Sequence, residues 1–248
     1  ILGATLLRDA GTEAQKKALL PAIVEGRLLC ALAVEESARH DPAGIALTAR
    51  ADGDALRLSG EKMLVLDGHV ADVLIIAARS RGSAGETGGI SLFLVEAGSA
   101  GLAIERTVMV DSRNAAIVRL DNVRGELLGT LHEGWEPLER VLDIGRICLA
   151  AELLGVGGEA IARTVEYLKQ RKQFGRVIGE FQALQHRAAT MFCELELARS
   201  AVLRALRAID EPHTALAPFA SLAKARAGDA ATLAVNEAVQ LHGGIGMT

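Results

Sequence analysis

The chain has 248 residues, half of them hydrophobic, with a formal net charge of −4 at pH 7 and only five Phe, one Tyr and one Trp, so Leu, Ala, Val and Ile must fill any core. No basic patch interleaved with aromatics is present, which argues against a nucleic-acid partner. No apolar run is long enough to span a bilayer and no signal peptide opens the chain, so a cytoplasmic protein is expected.

Residues 1–28 read as helical. Ile1, Leu6 and Leu7 make one apolar patch, and Thr12 is a good N-cap for a second helix carrying Leu19, Leu20, Ile23 and Val24. Pro21 inside that run predicts a break, and Gly26 closes it. Residues 29–128 change character. Short apolar runs at 28–34, 47–51, 55–60, 62–66, 73–78, 90–95, 102–104 and 116–120 are separated by turn signals such as Asp52-Gly53 and Asp67-Gly68. That spacing predicts an antiparallel sandwich or barrel. Residues 132–248 are helical again: 135–154, continued by 155–167, then 181–209, then an Ala-rich run at 215–241. Asp210-Glu211-Pro212-His213 is the expected break between the last two, and the Ala-rich run is expected to pack on a helix of another subunit. Long helices with short breaks predict a bundle.

The three cysteines, Cys30, Cys148 and Cys193, sit in apolar surroundings and are expected to be buried thiols in a reducing compartment. Neither they nor His40, His69, His132, His186, His213 and His242 show metal spacing, so no metal is expected. The chain opens on Ile1 rather than Met and ends at Thr248 just after a Gly-rich turn, so it is read as part of a longer protein.

Two stretches carry chemistry. Arg171-Lys172-Gln173-Phe174-Gly175 brings a guanidinium, an amide and an aromatic ring to the end of a helical pattern, with Gly175 expected to stop that helix. Phe181-Gln182 opens the next helix. Near the other end stands Gln240-Leu241-His242-Gly243-Gly244-Ile245-Gly246. Arginine suits a phosphate through its planar fork of donors, and a Gly-Gly step lets backbone amides approach a ligand. Together they indicate a site for a phosphate-bearing cofactor; the first stretch alone fits a solvated helix end better. Lys172 reads as a solvated charge, and His242 as a packing or capping residue in the Gly-rich turn.

The order helix, sheet, helix bundle, with these motifs, resembles the acyl-CoA dehydrogenase family over nearly the whole chain. Gly11-Thr12-Glu13-Ala14-Gln15-Lys16, Leu58-Ser59-Gly60-Glu61-Lys62-Met63 with Ala71-Asp72, and the two stretches above each resemble a family segment, in the family's order. The resemblance implies an α+β fold: the end of an N-terminal helical domain at 1–28, an antiparallel β-sandwich or barrel domain at 29–128, and a four-helix-bundle-type domain at 132–248. It implies FAD as cofactor, shared between subunits of a homo- or hetero-tetramer. Arg171, Gln173, Phe174, Gln182, Gln240, Gly243 and Gly244 would hold the ADP end of an FAD whose ring lies in the neighbouring subunit. Asp143 resembles a residue near the CoA of an acyl-CoA substrate, and Arg146 a structural arginine beside it, with an ion pair inside the subunit as its simplest role. An electron-transfer flavoprotein is the implied electron acceptor.

The flavin half departs from the family pattern. A Thr-Glu-Pro there is Val34-Glu35-Glu36 here, a Gly-Ser-Asp is Arg39-His40-Asp41, and a Trp-Ile-Thr is Leu64-Val65-Leu66. The first and third changes remove three polar or aromatic contacts to the flavin unless other groups replace them, and the second removes a serine contact to the acyl-CoA. Members that carry the catalytic Glu just before the conserved arginine would have it at Gly145, and the commoner position falls beyond Thr248. Two readings follow: a subunit catalysing FAD-dependent α,β-dehydrogenation of an acyl-CoA thioester, or a non-catalytic subunit of a heteromer that completes its partner's FAD site.

Overall fold

The computed structural model describes residues 1–111, 113–211 and 215–247. The contacts divide the chain into two units, Ile1–Val141 and Leu142–Thr248, and each is described by itself.

Thr12 fixes where the second helix begins. Helices α1 (Leu2–Ala10) and α2 (Glu13–Val24) open the first unit. The Thr12 hydroxyl accepts from the Gln15 N–H at 3.2 Å and the Gln15 side-chain oxygen accepts from the Thr12 N–H at 3.0 Å, a capping box that satisfies two donors the helix start leaves open. The buried Gln15 amide also donates to Glu126 Oε1 at 2.6 Å and to the Leu127 carbonyl at 3.0 Å, which ties α2 to the sheet. The break expected at Pro21 is absent, and α2 runs through it. Pro21 falls in the last turn, where its missing N–H forgoes one intrahelical hydrogen bond, and the Glu25 N–H still closes on the Pro21 carbonyl at 3.0 Å.

Seven strands follow: β1 (Cys30–Ala33), β2 (Thr48–Asp52), β3 (Ala55–Leu66), β4 (Val73–Arg79), β5 (Ile90–Glu96), β6 (Leu102–Val108) and β7 (Asn114–Leu128). Their order is β1-β4-β2-β3-β7-β5; β5 also pairs β4, which closes the ring into a barrel, and β6 extends it from β7. Five pairings are antiparallel, as expected. The other two, β1 and β2 on β4, are parallel, a seam that short-range turn signals do not reveal. The strands expected at 55–60 and 62–66 are one strand with register shifts after Leu58 and after Lys62. The second shift is a bulge: three residues of β3 pass two of β7, so Lys62 and Val65 both turn inward. Aliphatic side chains and one aromatic ring fill the barrel, among them Ala33, Ala49, Leu58, Leu74, Ile76, Phe93, Val118 and Val123.

Three long helices, α3 (Trp135–Gln170), α4 (Gln182–Asp210) and α5 (Leu216–His242), make the bundle-type packing that occupies the second unit. The segments expected at 135–154 and 155–167 are a single helix. A Cβ on Gly157 would lie 3.3 Å from Leu195 Cδ1 and 3.5 Å from Ala231 Cα, so its absence lets α3 approach α4 and α5 closely. Ala220, Ala223, Ala227 and Ala234 of α5 are buried in the core of this unit. These alanines of the Ala-rich run are therefore used inside the chain, while Leu222, Val235 and Val239 of the same helix are exposed. The break expected at Pro212-His213 lies outside the described residues.

Among the described residues no helix is long and apolar enough to cross a membrane, and no group of His, Cys, Asp and Glu is placed to hold a metal. The cysteines differ from expectation: Cys193 is exposed, while Cys30 and Cys148 are half-buried. Burial pushes the Cys30 thiol up to about 11.

Candidate functional site

Helix α3 stops at Gln170, short of Gly175. The Arg171 N–H still reaches back to the Tyr167 carbonyl at 2.9 Å, and the Ile178 N–H closes on the Arg171 carbonyl at 2.8 Å. Between them lies a two-residue hairpin, β8 (Lys172–Gln173) against β9 (Arg176–Val177), with Gln173 opposite Arg176. Its central residues, Phe174 (φ 54°) and Gly175 (φ 80°), are both left-handed, as a type I′ turn demands. So Gly175 serves the hairpin and does not end the helix. Phe174 has a Cβ and meets the same demand at a cost of roughly 1–2 kcal/mol. Its ring is 89% exposed and touches Phe181 edge-on, with centroids 6.2 Å apart. The Arg176 guanidinium lies over the Phe181 ring, 4.4 Å from its centroid. Phe181 then caps α4, whose first residue is Gln182.

The second motif ends α5. The His242 ring N–H at Nδ1 donates to the Ala238 carbonyl at 2.8 Å, which makes it the packing residue expected. Gly243 follows at φ 64°, ψ −136°, a region closed to residues with a Cβ. Nothing stands within 4 Å of where a Cβ on Gly243 or Gly244 would point, so the backbone there is open to a ligand.

One contact joins the two motifs. The Tyr167 ring stacks on His242 with centroids 4.4 Å apart and planes 25° from parallel. The Tyr167 hydroxyl reaches the His242 carbonyl at 3.4 Å. The end of α3 bearing Arg171 is thereby beside the end of α5 bearing Gln240, Gly243 and Gly244. The sequence reading passed over Tyr167; a lone aromatic on a helix gives no signal beyond core packing. Arg171, Gln173, Gln182 and Gln240 are exposed, and among the described residues no hydrogen bond or ion pair engages their side chains. One guanidinium and three amides, all uncommitted, beside a glycine backbone that carries no side chain, suit phosphate and nucleotide recognition.

Asp143 and Arg146 are not part of this cluster. They lie on α3 more than six turns earlier, about 40 Å along the helix at 1.5 Å per residue. Asp143 is buried, and its Oδ1 accepts from Arg146 Nη1 at 2.6 Å, so the ion pair inside the subunit is present.

In the barrel, Val34 is buried, Leu66 is half exposed, and Leu64 stands at φ 52° in the bulge of β3. None of the three offers a side-chain donor. The Glu35 carboxylate meets His40 Nδ1 at 2.5 Å and accepts from the Asp41 N–H at 3.2 Å. Lys62, given no role by sequence reading, has its side chain wholly buried, with Nζ 2.8 Å from the Val34 carbonyl and 2.7 Å from Glu36 Oε1.

Residues 30–123 match the acyl-CoA dehydrogenase middle domain and residues 132–248 match the acyl-CoA dehydrogenase C-terminal domain. The chain belongs to the acyl-CoA dehydrogenase family. It is 35% identical over 95% of its length to a 3-(aryl)acrylate reductase of Clostridium sporogenes and spans 64% of that relative. Butyryl-CoA dehydrogenase of Megasphaera elsdenii superposes with a TM-score of 0.93 at 32% identity, over all of this chain and 66% of that one. A variant of the Tcur3481-Tcur3483 steroid ACAD superposes with a TM-score of 0.85 at 36% identity, over 99% of this chain and 64% of that one. The chain thus spans 64–66% of the length of these three relatives.

Proposed function

We propose that this chain belongs to a subunit carrying out FAD-dependent α,β-dehydrogenation of an acyl-CoA thioester. The observation that carries the reading is the Tyr167–His242 stack, which makes one cluster of the two motifs. FAD, when bound, supplies the acceptor for the hydride that leaves the substrate. This chain's residues would hold its ADP end. Arg171 would fork onto the pyrophosphate, Gln173, Gln182 and Gln240 would supply amide contacts, the Gly243-Gly244 backbone would admit close approach, and Phe174 would cover the cofactor. The flavin ring of that FAD would sit in a neighbouring subunit of a homo- or hetero-tetramer, and an electron-transfer flavoprotein would take the electrons onward. Asp143, held by Arg146, is proposed on the acyl-CoA side. Gly145 supplies no carboxylate, so the base that takes the α-proton is proposed to lie outside residues 1–248.

A second reading is favoured by the barrel: a non-catalytic subunit that completes a partner's FAD site. Val34, Leu64 and Leu66 furnish the chain's own flavin position with no side-chain donor, and an unpaired polar group of a buried ligand costs on the order of 1–3 kcal/mol. The likeness to a steroid ACAD named for two proteins together supports it.

FAD counted per chain in the purified full-length protein separates the two. About one FAD per chain in a homo-oligomer with dehydrogenase activity supports the first. Little FAD alone, and about one per pair with a homologous partner, supports the second. No FAD in either state would sink both.

A further inference from the structure

Residues 34–47 run between β1 and β2 and are fastened to the barrel by three residues, Lys62, Met63 and Arg79. Lys62 Nζ, on β3, donates to the Val34 carbonyl at 2.8 Å and to Glu36 Oε1 at 2.7 Å. The Glu36 carboxylate in turn accepts from the N–H groups of Ala46 at 2.8 Å and Leu47 at 3.0 Å, so it spans the two ends of the segment. Glu35 holds His40 and the Asp41 N–H, and its own carbonyl accepts from the Met63 N–H at 2.9 Å. Arg79 on β4 donates to the carbonyls of Ala43 and Ile45, both at 2.9 Å.

The fastening at Lys62 has an unusual donor count. Its side chain is 0% exposed and meets two acceptors. A neutral amine has two N–H donors and fills that site; an ammonium has three, and the third finds no acceptor among the described residues. We propose that Lys62 is a positioning residue whose proton sets how firmly residues 34–47 are fastened: the neutral amine shuts the segment, and the ammonium favours its release to water. The surrounding charges agree. Burial pushes Lys62 down to about 8, Glu36 and then Glu35 pull it back up, and Arg79 pushes it down. In a released segment Nζ is hydrated and returns toward the ordinary 10.5. Closing therefore expels a proton, and between about pH 8 and about pH 10.5 the segment closes more tightly as pH rises. The Leu64 bulge, one residue beyond Met63, sits against this fastening, which gives its left-handed backbone a structural setting. The fastening stands on the barrel alone. Its consequence for catalysis, holding Val34 and residues 39–41 at the flavin and acyl-CoA, rests on the proposed function.

The test is pulsed amide hydrogen exchange with mass spectrometry on peptides covering 34–47 in the full-length protein. Rates are divided by those of Lys62→Met at each pH to remove the intrinsic dependence. The opening equilibrium is expected to fall about twentyfold between about pH 7.5 and about pH 9.5, as one proton shared between the two midpoints dictates. Glu36→Gln, which keeps an acceptor but removes the charge, is expected to move the transition to lower pH, and it stands in as the comparison if Lys62→Met does not fold. A flat ratio in the native chain, or a transition that Glu36→Gln leaves in place, overturns the proposal. The readout is neither FAD binding nor turnover, so it fails or holds separately from the functional reading.

Discussion

Tyr167 and His242 are 75 residues apart in the chain, yet their rings stack at 4.4 Å. The contact sets the last turn of α3 against the last turn of α5, and so sets Arg171 relative to Gly243. Such ring pairs contribute about 0.5–1.5 kcal/mol beyond the area they bury. Tyr167→Leu is expected to weaken FAD binding by about 1 kcal/mol in the full-length assembly, measured by release of flavin fluorescence on dilution. Tyr167→Phe keeps the stack, loses only a 3.4 Å hydrogen bond, and should bind nearly as the native chain does. Equal losses in the two variants would mean that the hydroxyl, not the stack, matters.

Among the described residues the exposed Arg171 side chain makes no hydrogen bond or ion pair, so its removal should separate binding from stability. Arg171→Ala is expected to weaken FAD binding by roughly 1.5–3 kcal/mol, the scale of a charge-assisted hydrogen bond. The unfolding free energy of the FAD-free protein should stay within about 0.5 kcal/mol of the native value. Denaturant melts alongside a flavin titration check both.

Phe174 is an aromatic ring held out in solvent on a backbone that favours Asn or Gly. Phe174→Asn gives the hairpin its preferred Asn-Gly turn. It should raise the stability of the FAD-free protein by up to about 1 kcal/mol while lowering FAD retention, because the covering ring is gone. A variant that is both more stable and fully loaded with FAD would leave Phe174 without a role at the cofactor.

Lys62 makes a prediction for the whole fold. Its folded value of about 8 lies below the unfolded 10.5, so between these the unfolded chain binds more protons and stability rises with pH. The total rise is on the order of 3 kcal/mol, complete near pH 10.5 and absent below about pH 8. Cys30, pushed up to about 11 by burial, contributes the opposite slope above about pH 9 in both chains, so the rise is read as the difference between the native chain and Lys62→Met in urea melts across that range.

What the sequence discloses and what it conceals both have physical reasons here. Arg171, Gln173 and the Gly243-Gly244 step stand out because polar and helix-breaking residues interrupt two long apolar patterns. Gly175 misleads because a glycine that stops a helix and one that turns a hairpin look alike locally. Tyr167 is silent because its partner is distant in the chain. Lys62 shares the inward parity of Leu58, but lysine is so rarely buried that alternation alone does not assign it to the core. The parallel seam of β1 and β2 on β4 is hidden because register across a long connection leaves no local mark.

The most direct measurement is a cryo-EM map of the FAD-loaded full-length assembly at a resolution that shows the pyrophosphate. The account predicts phosphate oxygens within hydrogen-bond reach of the Arg171 guanidinium, the Gly243-Gly244 backbone beside the same FAD, and the flavin ring of that FAD in a neighbouring subunit. A pyrophosphate bound elsewhere, with Arg171 still in solvent, would contradict it.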